Sequence, residues 1–131
     1  MFVVSGGGRR GARAGLLAAG VVAAACGRGP RMQPQYVAAG HAELGPAAIR
    51  RYGCGSCHTV PGVREAKGQA GPSLDHYARR TYVAGMLPNT SENLVHWIAK
   101  PQEVQPGNAM PNLGVTDREA RNIAAYLYTL Q

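Results

Sequence analysis

The sequence predicts a small all-α domain of helices and connecting loops, and three observations predict it. Apolar residues recur at helical spacing, most clearly Ala120, Ile123, Ala124 and Leu127, which follow the i, i+3, i+4, i+7 rule. No segment alternates apolar and polar residues convincingly enough to be a half-buried strand. The chain holds 18 Gly and 9 Pro in 131 residues, which points to a loop-rich fold. Aromatic content is 6%, thin for a domain that must bury a core. A foldable region of fewer than about 100 residues with so few large rings usually needs a metal, a disulfide or a cofactor. The chain has three cysteines, an odd number that argues against a simple disulfide framework.

Residues 1–25 read as a signal peptide. Arg9, Arg10 and Arg13 form a positive start, and residues 14–25 (AGLLAAGVVAAA) form an uncharged apolar run of 12. That run is short for a bilayer span and suits the apolar core of an export signal. It ends Ala23-Ala24-Ala25-Cys26, which meets the small-residue rule for cleavage. It also resembles the lipobox of bacterial lipoproteins, although Ala23 stands where that pattern usually has Leu. An exposed N-terminal thiol in an oxidising compartment is a liability, so lipidated Cys26 is favoured over a plain secreted form. Residues 26–40 hold Gly, Pro, Arg and Gln without periodicity and read as a flexible tether. The folded domain is expected over 41–131.

Within that domain each helix carries its own start and stop. Pro46 suits a first turn, Ala47, Ala48, Ile49 and Tyr52 give an apolar face, and Gly53 ends the helix. Thr90 can cap a helix in which Leu94, Trp97 and Ile98 share a face, stopped by Pro101. Thr116 and Glu119 have the spacing of a capping box for the last helix.

The formal net charge is +7, which invites a nucleic-acid reading. The distribution opposes it. Five of the arginines lie in the first 31 residues, and from His41 onward nine basic residues face seven acidic ones, leaving +2. No basic stripe remains, and nucleic acid is set aside.

The strong motif is Cys54-Gly55-Ser56-Cys57-His58. C-x-x-C-H is the covalent attachment sequence of haem c. Residues three apart on a helical turn share a face, so Cys54 and Cys57 can each form a thioether with one vinyl group of the same porphyrin. His58 follows as the axial ligand, and Gly55 and Ser56 are small enough to leave the porphyrin edge clear. A thioredoxin-like reading wants a βαβ context, whereas Gly and Pro follow here. A zinc site wants four ligands, and no second C-x-x-C exists. A structural disulfide would leave the thin core unexplained.

A sixth iron ligand would come from Met110, Met86, His76 or His96. Met110 lies in Pro106-Gly107-Asn108-Ala109-Met110-Pro111, a loop with no helical stripe for a core methionine to join. It is the first choice, with Met86 the runner-up. His76 and His96 read as surface residues. A haem enzyme of peroxidase type, or a haem gas sensor, would instead keep the sixth position open.

From Gly45 to Leu130 the chain resembles the class I bacterial cytochromes c. Gly45 lies nine residues before Cys54, as a helix glycine does in that family, and Tyr126 fits the aromatic that packs on it. Gly71-Pro72-Ser73-Leu74 resembles the turn after the haem motif. Trp97, Pro101, Gly107 and Met110-Pro111 resemble the stretch leading to the axial methionine. The resemblance implies one covalent haem c held at Cys54 and Cys57, with axial His58 and Met110. It implies that the Pro72 carbonyl orients His58 and that Trp97 faces a haem propionate. It also implies electron transfer as the function, an electron carrier and not an enzyme, working with a respiratory oxidase, dehydrogenase or reductase. Gly85-Met86-Leu87-Pro88-Asn89-Thr90 is similar to a phrase in the cytochrome c domains fused to subunit II of haem–copper oxidases. The expected location is the periplasmic side, at a membrane through lipidated Cys26.

Overall fold

Alanine and glycine at a helix crossing let two backbones approach closely, and that approach organises this domain. The computed structural model describes residues 1–3 and 36–131. Beyond its first three residues, the segment read as a signal peptide, together with Cys26 and the expected tether up to residue 35, therefore lies outside the described residues. The chain divides into two units, Met1–Pro30 and Arg31–Gln131, and the architecture that follows is that of the second.

Four helices carry the fold: α1 (Gly45–Arg51), α2 (Ser91–Ala99), α3 (Pro101–Val104) and α4 (Asp117–Leu127). The last is central, packing against α1, α2 and the 3-10 turn Ala42–Leu44. Where α1 meets α4, a β-carbon added to Gly45 would lie 2.3 Å from the Tyr126 β-carbon and 2.8 Å from the Asn122 carbonyl oxygen. Only glycine permits this approach. Tyr126 then reaches past the crossing and donates its hydroxyl to the Pro61 carbonyl at 2.7 Å. Ala120, Ile123, Ala124 and Leu127 all face the core, as their spacing requires.

The helix ends follow local chemistry with two departures. The Thr90 hydroxyl accepts from the Asn93 amide at 3.3 Å and starts α2. Pro101 ends that helix but also begins α3, where its missing N–H costs nothing. Thr116 caps α4 by accepting from the Glu119 amide. The Glu119 carboxylate, however, accepts from Arg51 at the end of α1 and from Tyr52 just after it, as well as from the Thr116 hydroxyl, so it joins two helices. Gly53, with φ +68°, closes α1. Ala47 is exposed, leaving Ala48 and Ile49 as the buried residues of the expected apolar face.

Strand content is minimal. β1 (Tyr82–Val83) and β2 (Leu87–Pro88) pair antiparallel, turned by Ala84 and Gly85 at positive φ, and Thr59 bridges Lys67. Among the described residues most glycines lie in loops and turns, and none lies in a strand.

The fold also starts earlier than His41. Val37 is buried, Gly40 donates its amide to the Val37 carbonyl, and Arg121 donates to the Ala38 carbonyl. Residues 37–40, read as the end of the tether, pack on the domain because a single valine finds an apolar seat there. The buried Asn122 side chain accepts the His41 amide at 2.9 Å and holds the same segment.

Candidate haem site

The site grows out of the end of α1. After Gly53 the chain makes a 3-10 turn, Cys54–Ser56, and the amides of Cys57 and His58 both donate to the Cys54 carbonyl, at 3.2 and 3.0 Å. This tight turn presents two free thiols, Cys54 half-buried and Cys57 exposed. Burial pushes the Cys54 thiol above its ordinary pKa.

His58 is held from its far side. Its Nδ1–H donates to the Pro72 carbonyl at 2.7 Å. A carbonyl can only accept, so Nδ1 carries the proton and the neutral ring keeps its lone pair on Nε2. Among the described residues Nε2 makes no hydrogen bond. A β-carbon on Gly71 would lie 2.4 Å from His58 Cε1, so the Gly71 backbone is the bed on which the imidazole rests. The Gly71 amide donates to the Cys57 carbonyl at 2.7 Å, and the Leu74 amide to the Thr59 carbonyl at 2.8 Å. The 71–74 segment thus runs alongside 57–59 and fixes Pro72.

Gly55 also has a packing role. A β-carbon there would meet the Ala66 α-carbon at 2.6 Å. Its smallness admits the loop 59–68 against the turn, which the Gly68 amide then fastens to the Gly55 carbonyl at 3.0 Å.

The remaining candidates separate. Met110 is half-buried in the loop after α3. Its amide donates to Asn108 Oδ1 at 2.7 Å, and its carbonyl accepts from Gln102 Nε2 at 2.8 Å. Met86 is 46% exposed beside the β1–β2 turn. His76 is exposed and donates Nδ1–H to the Gln131 carbonyl at 2.6 Å. His96 is exposed, with Nε2 3.5 Å from the Glu103 carboxylate. Trp97 is half-buried on α2 and packs against the core. Gln102 and Asn108 join these residues at the site without having been marked by any motif. Asn108 follows Pro106-Gly107, a turn-forming context that could have drawn attention to it; nothing local marks Gln102.

Among the described residues no group of three or more His, Cys, Asp or Glu converges as a metal site. The donors instead suit a cofactor bound covalently: two free thiols on one turn, followed by an imidazole whose metal-binding nitrogen is unengaged and whose other nitrogen is oriented. The family model for cytochrome c matches residues 28–131. This chain belongs to the cytochrome c family.

The fold is therefore the all-helical class I cytochrome c fold, and membership of the family implies a covalent haem c and electron transfer through it. Curated relatives contain a similar stretch. The chain is 37% identical over 93 residues to cytochrome c oxidase subunit 2 of Alkalihalophilus pseudofirmus, covering 69% of this chain and 26% of that protein. It is 31% identical over 94 residues to cytochrome c oxidase subunit 2 of Bacillus subtilis, covering 69% and 26% respectively. It thus spans about a quarter of the length of the curated relatives it matches. No solved structure matches.

Proposed function

We propose that the chain carries one haem c, joined by thioethers at Cys54 and Cys57 and ligated axially by His58 and Met110, and that it passes single electrons between redox proteins. The observation that carries this reading is the His58–Pro72 hydrogen bond. It fixes the tautomer that offers Nε2 to iron, immediately after two free thiols. The haem, when bound, supplies the Fe(III)/Fe(II) couple. The residues around it bind, orient and insulate. The Pro72 carbonyl makes His58 a more basic ligand. A thioether from Met110 on the iron would raise the potential relative to more donating sets and would close the iron to substrates, as suits a carrier and not a peroxidase or sensor. Trp97 serves as a propionate neighbour.

Haem retained on a denaturing gel, with a haem c spectrum on reduction, tests the attachment. Met110→Ala tests the sixth ligand: the variant should have a lower reduction potential and bind carbon monoxide as the ferrous protein. Unchanged potential with no carbon monoxide binding would remove Met110 from the iron.

The partner proposed is a respiratory oxidase, because the relatives named above are oxidase subunits; a dehydrogenase or reductase would stand at the other end of the transfer. The location proposed is the periplasmic side, anchored by lipid on Cys26. Among the described residues no helix is long and apolar enough to cross a membrane. The Cys26→Ser form should leave the detergent-rich phase for the soluble fraction, and equal partitioning of both forms would argue for plain cleavage.

A further inference from the structure

We propose that Gln102 is a positioning residue for the axial ligand: its side-chain amide holds the Met110 loop closed and thereby sets how often the iron loses its thioether. The inference rests on Met110 as the sixth ligand. It starts from a stretch of chain without regular structure. Between the end of α3 and Thr116 no helix or strand forms, so the backbone polar groups around Met110 have no ladder to satisfy them.

Two side-chain amides take that role. Gln102 Nε2 donates to the Asn108 carbonyl at 2.9 Å and to the Met110 carbonyl at 2.8 Å, while its Oε1 accepts the Gly107 amide at 2.9 Å. Both donor hydrogens and the acceptor are used. Asn108 completes the arrangement. Its Oδ1 accepts the Met110 amide at 2.7 Å, and its Nδ2 donates to the Pro101 and Gln105 carbonyls at 2.9 and 2.6 Å. Met110 therefore has both its N–H and its C=O held by side chains, which fixes its backbone from two sides. The holder itself is well founded. Gln102 follows Pro101, one of the most deeply buried side chains of the domain, at the start of α3, so the amide reaches the loop from a fixed base.

Such an arrangement acts on the ligand and leaves the cofactor attachment alone. The thioethers and His58 are on another segment, 44 or more residues earlier. Loss of the Gln102 amide would free the loop while haem stayed bound. Carbon monoxide reads this directly, since it binds ferrous iron only when the thioether has left. Three lost hydrogen bonds, each worth about twofold in an equilibrium, should raise the open population about tenfold.

The test uses the holoprotein in three forms, Gln102→Leu, Gln102→Glu and Met110→Ala. Gln102→Leu should retain covalent haem, bind carbon monoxide about tenfold faster than wild type, and weaken the far-red charge-transfer band of the ferric iron–thioether bond. Gln102→Glu separates positioning from bulk packing. At neutral pH its carboxylate would face the Asn108 and Met110 carbonyls and should open the loop as Leu does. Protonation at lower pH restores one donor, so its carbon monoxide rate, taken relative to wild type, should fall as the carboxyl titrates. Gln102→Leu should show no such recovery. If Met110→Ala opens the iron but both Gln102 variants bind carbon monoxide at the wild-type rate, the positioning role is wrong and the ligand assignment stands. If Met110→Ala leaves the band and the rate unchanged, the ligand assignment falls and this inference with it. A Gln102→Glu response with no pH dependence would reduce Gln102 to packing and overturn the proposal.

Discussion

His58 shows how little freedom a ligand residue keeps. Its ring lies between a backbone with no side chain at Gly71 and a carbonyl at Pro72. The hydrogen bond sets the tautomer, and the glycine sets the depth of the ring. Gly71→Ala is therefore expected to push the imidazole away from Pro72, because a β-carbon 2.4 Å from Cε1 cannot be accommodated in place. Overpacking of this kind costs about 1–3 kcal/mol. Denaturant unfolding of wild type and Gly71→Ala measures this cost, and equal stability would mean that Gly71 does not support the ring.

At the scale of elements, the junction of α1 and α4 depends on a carboxylate. Glu119 accepts from Tyr52, Thr116 and Arg51, and its side chain is only 13% exposed. The Tyr52 hydrogen bond, then that of Thr116, hold its carboxyl below the usual carboxylate range, with Arg51 and Arg118 adding attraction. The same Glu119 bond raises the Tyr52 phenol above its ordinary value near 10. A depressed carboxyl gives stability that is present above the unfolded pKa of about 4.3 and is lost as pH falls through the folded value. Acid should therefore loosen α1 from α4, and α1 leads directly into Gly53 and Cys54. Thermal unfolding of wild type and Glu119→Gln across this range measures it. The gap between them should be widest near neutral pH and close in acid; a constant gap would mean that the charge is irrelevant. Arg51 is the weaker partner, because its side chain is 73% exposed and water screens it.

For the molecule as a whole, the size of the buried side chains matters most. Among the described residues, eleven of the eighteen buried apolar side chains are Ala or Val. Such a core has little volume, and small domains bury a modest share of their surface. Asn89 helps to tie distant parts together: it accepts the Tyr128 hydroxyl at 2.9 Å and donates to the Arg80 carbonyl at 2.8 Å. Haem is expected to supply the missing apolar mass. A Cys54→Ala/Cys57→Ala chain made without haem should show little helix by circular dichroism and no cooperative melt, whereas the holoprotein melts in one transition. A cooperative apo transition would show that the protein core suffices alone.

The parts legible in the sequence are those governed by near neighbours. C-x-x-C-H places three donors within five residues, and the caps at Thr90 and Thr116 act over three. Helical spacing identified the buried face of α4 for the same reason, since residues i to i+4 meet whatever surrounds them. The resemblance supplied Gly45 with Tyr126 and His58 with Pro72 as pairs, which spacing alone could not join. Other features were decided only in three dimensions. Glu119 reached beyond its own helix to Tyr52, 67 residues away; Gly55 admitted Ala66; Val37 found the core; and Gln102 met the loop of Met110. Each depends on two segments arriving at the same place in one register. No local propensity encodes that, because the partner is specified by how whole elements pack.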